Sequence, residues 1–253
     1  MIHFDVQGRV GVITLDRPEA RNAINAEMAE AMEAAIDRLE HDDELWAGIL
    51  THNGPAFCAG ADLKEIAAGN ADGLWTKRGG FGGIVLRDRV KPLIAAVDGH
   101  AVAGGTEIAL ACDLRVASTE TMFGIPEVKR SLVAAAGGLV RLPRVLPPAI
   151  AMELAITGDT ISAERAYHFG MINQLCEPGE AVESALTLAG RVLANAPLAV
   201  QASRRLILEA PEQTDAEGMR AASAAMAALS STEDYAEGPR AFIEKRSPRW
   251  KGR

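Results

Sequence analysis

Aromatic residues are scarce: Phe, Trp and Tyr make up 4% of the 253 residues, although apolar residues as a whole reach 48%. The interior must therefore be built from Ala, Val, Leu and Ile. At this length it is a substantial interior, in one large domain or a domain with a small appendage. Positive charge is also short. The formal net charge of -8 argues against a nucleic-acid partner, because a phosphate backbone recruits clustered Lys and Arg. Local basic clusters at Lys129–Arg130, Arg204–Arg205 and Lys245–Arg253 still leave room for a small anionic ligand.

Cysteine is rare. Cys58, Cys112 and Cys176 lie far apart, without the paired spacing of zinc or redox motifs, and are expected as buried free thiols in a reducing compartment. The histidines show no ligand spacing, so no metal is expected. No G-x-S-x-G elbow occurs, and "GGFGG" lacks the following Lys-Ser/Thr of a phosphate loop. No apolar run reaches the roughly 18 residues of a membrane span, and "MIHFDVQGRVGVITLD" lacks the basic and apolar segments of a secretory signal. A cytoplasmic protein with no membrane and no nucleic-acid partner is the expectation.

What is present reads as α/β. Ile2 to Gln7 and Val10 to Leu15 are β-branched runs joined at Gln7-Gly8, which predicts a hairpin. Asn25 is a good N-cap for a helix carrying Met28, Met32, Ile36 and Leu39 on one face. "WAGILT" (Trp46 to Thr51), "PLIAAV" (Pro92 to Val97) and "LRVAS" (Leu114 to Ser118) read as buried strands with helical patterns between them, which predicts parallel pairing. The six glycines from Gly69 to Gly83 suit a mobile loop, either a surface connector or the lid or wall of a pocket. From Glu180 onward the pattern turns helical. Pro197 falls at a first helical position, an Ala-rich helix follows from Glu217 to Leu229, and a break is expected at Gly238-Pro239.

Three segments carry candidate chemistry. In "GHAVAGGTEIAL" a strand ends and a helix begins at Gly104-Gly105, where first-turn N–H groups point outward and favour an anion or an oxygen becoming one. Glu107 lies one turn on. It is either a first-turn acid complementing the helix dipole or a carboxylate beside an oxyanion site. "GPAFCAGADLKEI" has the same grammar: small residues Ala59-Gly60-Ala61, then Asp62 as a cap for a helical "LKEI". In "GIPEVKR", Glu127 follows Pro126 and is either a surface acid paired with Lys129 or Arg130, or the second member of a carboxylate pair.

Together, "AFCAGADLKEI", "AVDGHAVAGGTEIALACDL", "FGIPEVKRSL" and "GGLVRLPRVL" resemble the signatures of the enoyl-CoA hydratase/isomerase (crotonase) family, in order and in spacing. The resemblance runs from "ITLDRPEARNAIN" to "EGPRAFIEKRSPRWKGR". It implies a crotonase-like (ClpP/crotonase) α/β spiral of β-β-α turns over residues 1–190, with the active site, and a helical trimerisation region over 191–253. A homotrimer or homohexamer would follow. The resemblance also implies an acyl-CoA thioester substrate and no separate cofactor, with the thioester carbonyl between the N–H groups of Ala61 and Gly104. Glu107 and Glu127 fill the two acid positions of the family's hydratases, which implies addition of water across the 2,3 double bond of a 2-enoyl-CoA. Glu107 would activate the water and Glu127 would act as the acid towards C2. Ala61, Asp62, Leu63 and Lys64 would contact coenzyme A through backbone atoms, with Arg21 and Lys245 on its phosphates, Lys245 from the same or a neighbouring subunit.

Departures from the family pattern are His100 where Tyr is common, Ala103 for the first glycine of a frequent triplet, and Asp98 for a common Asn. "RVLPPAIAMELAITGD" and the C-terminal stretch also look similar to carnitinyl-CoA dehydratase members. Carnitinyl-CoA dehydration or enoyl-CoA isomerisation on the same fold, and a non-catalytic acyl-CoA-binding protein, are therefore the alternatives.

Overall fold

The computed structural model describes residues 1–253. The chain opens with the hairpin β1 (Ile2–Gln7) and β2 (Val10–Leu15), whose turn is made possible by Gly8 at φ 60°. β3 (Ala47–His52), β7 (Leu93–Val97), β9 (Leu114–Ser118) and β12 (Gln174–Cys176) extend it into a six-stranded sheet of order β1-β2-β3-β7-β9-β12. Only β1 and β2 pair antiparallel in it. A second sheet of order β11-β10-β8-β4 contains β4 (Ala56–Cys58), β8 (His100–Val102), β10 (Met122–Gly124) and β11 (Thr160–Ser162).

The chain visits the sheets alternately: β3 then β4, β7 then β8, β9 then β10. That alternation is the spiral of β-β-α turns. Both faces of the large sheet are covered, so its strands are apolar on both sides. Ile13, Leu15, Leu50 and Ala95 point into the main core, and Val10, Val12, Ile49, Ile94 and Val116 point the other way. The main core is sealed by α1 (Ala26–His41), which Asn25 caps by accepting Met28 N–H at 2.9 Å, and which buries Met28, Met32, Ile36 and Leu39. The other face is sealed by α7 (Ala181–Leu193) through Ala181, Ala185, Leu188 and Ala189.

Between Gly69 and Gly83 the chain is a built wall. A 3-10 turn at Ala71–Leu74 leads into a small hairpin, β5 (Trp75–Thr76) with β6 (Gly80–Phe81), and the Trp75 and Phe81 rings meet edge-on at 5.7 Å. It is pinned to α1, because Glu33 accepts from Gly79 N–H at 2.7 Å and Arg78 pairs with Glu33 and Asp37. Of the readings open in the sequence, the structure shows the wall of a pocket, held by charges that no local pattern reveals.

The remaining core helices are α2 (Leu63–Ala67), α3 (Gly104–Ala111), α4 (Gly138–Val145), α5 (Pro148–Thr157) and α6 (Ala163–His168). The C-terminal region is α8 (Pro197–Glu209), α9 (Asp215–Leu229) and α10 (Glu233–Ile243). The break expected at Gly238-Pro239 does not occur, and α10 runs through both residues. Thr232 caps the helix, and its buried Glu237 is gripped by Arg240, Arg246 and Arg249 N–H, which together hold the helix across the missing proline donor. Phe242, Ile243, Ile207 and Met219 on these helices remain exposed. No helix of the protein is long and apolar enough to cross a membrane.

Candidate active site

Two turns, distant in sequence, are brought together by the parallel pairing of β4 with β8. The first follows β4. Gly60 takes φ 91°, its N–H donates to Cys58 Sγ at 3.3 Å, and its carbonyl accepts Ile24 N–H at 2.7 Å. Asp62 N–H donates to Ile24 O at 2.9 Å, while the intervening Ala61 N–H has no protein acceptor. The Asp62 side chain is committed to structure: it caps α2 by accepting Lys64 N–H at 2.9 Å and accepts Arg17 Nη1 at 2.7 Å. Arg17 and the helix cap hold its carboxyl below the usual carboxylate range.

The second turn joins β8 to α3. Ala103 N–H donates to Gly124 O at 2.8 Å, and the buried Thr106 hydroxyl donates to Ala101 O at 2.7 Å and accepts Gly124 N–H at 3.0 Å. The free N–H is that of Gly104, the first residue of α3. Both glycines are forced by close approach. A Cβ on Gly105 would lie 2.0 Å from Cys58 O, and one on Gly104 would lie 2.4 Å from the Phe81 ring. A Cβ on Gly60 would in turn stand 2.9 Å from Gly104 N, so the two donor turns abut. Ala103 adopts φ 53° and ψ -129°, a conformation that favours glycine and strains an alanine.

Two carboxyls face the space beside these donors. Glu107, 3% exposed, projects from α3 and accepts Gly138 N–H at 2.8 Å. Burial pushes it up to about 7; the amide of Gly138 opposes this, the charge of Glu127 adds to it, and Ala136 N–H and Arg141 oppose it. Glu127 sits in the 3-10 turn Pro126–Arg130 and is half-buried, with Oε2 out of reach of water and of any protein donor. Burial pushes its carboxyl up, against its own backbone N–H and Arg130. The surface ion pair with Lys129 does not form, because Lys129 reaches Asp159 instead, at 2.8 Å.

A cavity of about 550 Å³ unites these groups, lined by Ala61, Gly104, Glu107 and Glu127 and walled mostly by apolar side chains such as Leu74, Trp75, Phe81, Leu132 and Val133. Arg21 and Leu63 also line it. The N–H groups of Asp62 and Lys64 are already used within the chain, and Lys245, just beyond α10, does not line the cavity. Sequence reasoning missed the aromatic wall, Trp75 and Phe81, and the contact of Gly138 with Glu107. The signal for the latter was the double glycine of "AAAGGLVR".

Free backbone donors beside two elevated carboxyls, in a mostly apolar cavity, define a site suited to an acyl group whose carbonyl oxygen becomes negative during reaction. Comparison with known proteins gives that class a name. The sequence model described as enoyl-CoA hydratase/isomerase matches residues 5–253, and the chain belongs to that family. It is 41% identical over 258 residues to a carnitinyl-CoA dehydratase of Salmonella typhi, covering 100% of this chain and 98% of that protein. A solved enoyl-CoA hydratase from Mycobacterium tuberculosis H37Rv superposes with a TM-score of 0.96 at 46% identity, covering 100% of this chain and 99% of the other. A carnitinyl-CoA hydratase from Mycobacterium avium superposes at 0.79 with 43% identity, covering 100% and 98%. The fold is that of the crotonase family, and the protein is an enzyme of its hydratase/dehydratase type, a hydro-lyase acting on acyl-CoA thioesters.

Proposed function

We propose that this enzyme adds water across the 2,3 double bond of an uncharged 2-enoyl-CoA, as in fatty-acid β-oxidation. The observation that carries this reading is the convergence of the free N–H groups of Ala61 and Gly104 with both Glu107 and Glu127 on one cavity. Glu107 takes a proton from water as the water oxygen bonds to C3. The electron pair of the double bond shifts towards C2 and the thioester carbonyl, and the oxygen becomes an enolate held by Ala61 and Gly104 N–H. Each such donor stabilises it by about 3 kcal/mol. Glu127 then delivers a proton to C2. The division of labour is the one the family resemblance implies; burial raises both carboxyls, and each keeps partners that favour its ionised form, the Gly138 amide for Glu107 and its own N–H with Arg130 for Glu127. Coenzyme A enters as part of the substrate, with no further cofactor, and Arg21, which lines the cavity, would meet its phosphates.

The exposed apolar residues of α8 to α10 support assembly as a homotrimer or homohexamer through residues 191–253, against a catalytic core of residues 1–190. Three buried free cysteines suit a reducing compartment, and we place the enzyme in the cytoplasm.

The test is hydration of crotonyl-CoA by purified protein, followed as loss of enoyl-thioester absorbance, across enoyl-CoAs of increasing length. The likeness to proteins named for carnitinyl-CoA favours one second reading, dehydration of a charged β-hydroxyacyl group. The mostly apolar lining, Leu74, Trp75, Phe81, Leu132 and Val133 among it, fits an uncharged acyl chain better. Inactivity on simple enoyl-CoAs with hydration of crotonobetainyl-CoA would reverse the order. Tight binding of acyl-CoA with no turnover of either would leave a binding protein.

A further inference from the structure

The double glycine of "AAAGGLVR" is filled from two directions. A Cβ on Gly138 would lie 3.1 Å from Glu107 Oε1, and a Cβ on Gly137, at φ 103°, would lie 2.0 Å from Arg141 Nη1. Gly137 thus leaves room for the Arg141 side chain to fold back over the first turn of α4. There the guanidinium donates to Ala136 O at 3.2 Å and to Val85 O at 2.5 Å. Val85 belongs to the segment after β6, whose Phe81 walls the cavity, while Gly138 N–H is the donor on Glu107. One side chain clamps the aromatic wall to the loop that holds the catalytic carboxyl. Both of its bonds end on carbonyl oxygens, which leaves its positive charge to act on Glu107.

We propose that Arg141 is a positioning residue for the hydration reaction: bonded to Ala136 O and Val85 O, it fixes the Ala136–Gly138 loop against Glu107. Its charge, spent on no acid, adds support to the ionised, water-activating form of that carboxyl. The charged groups acting on Glu107 are Glu127, from the Pro126–Arg130 turn, which opposes ionisation, and Arg141, from α4, which favours it. The proposal rests on Glu107 as the base of the reading above.

The test combines pH profiles of kcat/KM with an NMR titration of carboxyl-labelled glutamate in wild type, R141Q and R141K, with E107Q to assign the Glu107 signal. In R141Q the Glu107 midpoint and the acid limb of kcat/KM move up together by about one pH unit. In the same variant kcat falls about tenfold or more with KM within about twofold. R141K keeps the midpoint but loses kcat, because an ammonium cannot span two carbonyls. An unchanged Glu107 midpoint in R141Q overturns the electrostatic coupling, and unchanged kcat in both variants overturns the clamp. If R141Q does not fold, R141K decides: a loss of kcat at a fixed midpoint supports the clamp, and retained kcat sinks it. The titration needs no turnover, so a wild type that hydrates no enoyl-CoA defeats the hydratase reading while leaving the Arg141–Glu107 coupling measurable.

Discussion

Glu107 in the core and Glu237 in the C-terminal helices are equally buried glutamates, 3% and 4% exposed, and their carboxyls move in opposite directions. Glu237 accepts from Arg240, from Arg246 at 2.6 Å and from Arg249 N–H at 2.8 Å, and is held well below the usual carboxylate range. Glu107 has the Gly138 amide at 2.8 Å, faces a second acid, and rises to about 7. For Glu107, deep in the core, burial is the largest cause of the shift; for Glu237 the bonds from Arg246, Arg240 and Arg249 N–H outweigh it. The same contrast separates the two regions. Around α10 the carboxylates of Glu233, Asp234 and Glu237 are all bonded, to Lys251 and Arg253, to the amides of Lys251 and Gly252, and to arginines. At the cavity the N–H groups of Ala61 and Gly104 are left open. Groups a protein leaves unsatisfied beside a cavity are those a ligand can satisfy.

The largest expected break of this comparison is catalytic. E107Q and E127Q each lower kcat on crotonyl-CoA by about 1000-fold while still binding CoA esters, measured by steady-state kinetics and calorimetry. A loss below about tenfold in either would dissolve the pairing.

Next comes stability against pH. The folded carboxyl of Glu107 is raised from 4.5 to about 7, so the folded state holds the proton more tightly than the unfolded one. Its contribution is intact below the unfolded value and is lost as pH rises through about 7, a penalty of about 3 kcal/mol. Urea unfolding should therefore find E107Q more stable than wild type by up to about 3 kcal/mol near pH 8 and unchanged near pH 4. Glu237 has the reverse sign. Its contribution is present above the unfolded value and is lost as pH falls, so E237Q lowers the melting temperature at neutral pH and the difference closes in acid.

The smallest effect is at Ala103. A103G relieves about 1 to 2 kcal/mol of positive-φ strain and adds about 0.4 to 1 kcal/mol of unfolded-state freedom, for a net stabilisation of about 0.8 kcal/mol. Destabilisation by A103G would show that the methyl, not the backbone, sets this turn.

Much of the scaffold was legible in the chain. The β1–β2 hairpin, the Asn25 cap, the four apolar positions of α1 and Pro197 at the start of α8 stand where local pattern put them. The expected strand at Leu114 to Ser118 is β9, and the expected strand from Trp46 runs one residue later, as Ala47–His52. The donor turns were visible as small residues between strand and helix. The Gly69 to Gly83 segment and Gly238-Pro239 misled because glycine and proline report backbone permission only. The ion pairs that fix Arg78 to α1 and Glu237 to the arginines around it come from outside those stretches. Arg141 was invisible as a site residue for the same reason: its target, Val85, lies 56 positions away.

The sequence by itself determined which turns expose backbone N–H groups and which positions carry acids, because capping, pleat alternation and glycine conformations act over a few residues. Tertiary structure decided that Glu107 and Glu127 share one cavity, that Glu107 rises while Glu237 falls, and that Gly138 and Arg141 stand behind the Glu107 carboxyl. Protonation depends on water exclusion and on charges at close range, and those are set only when segments far apart in the chain pack together.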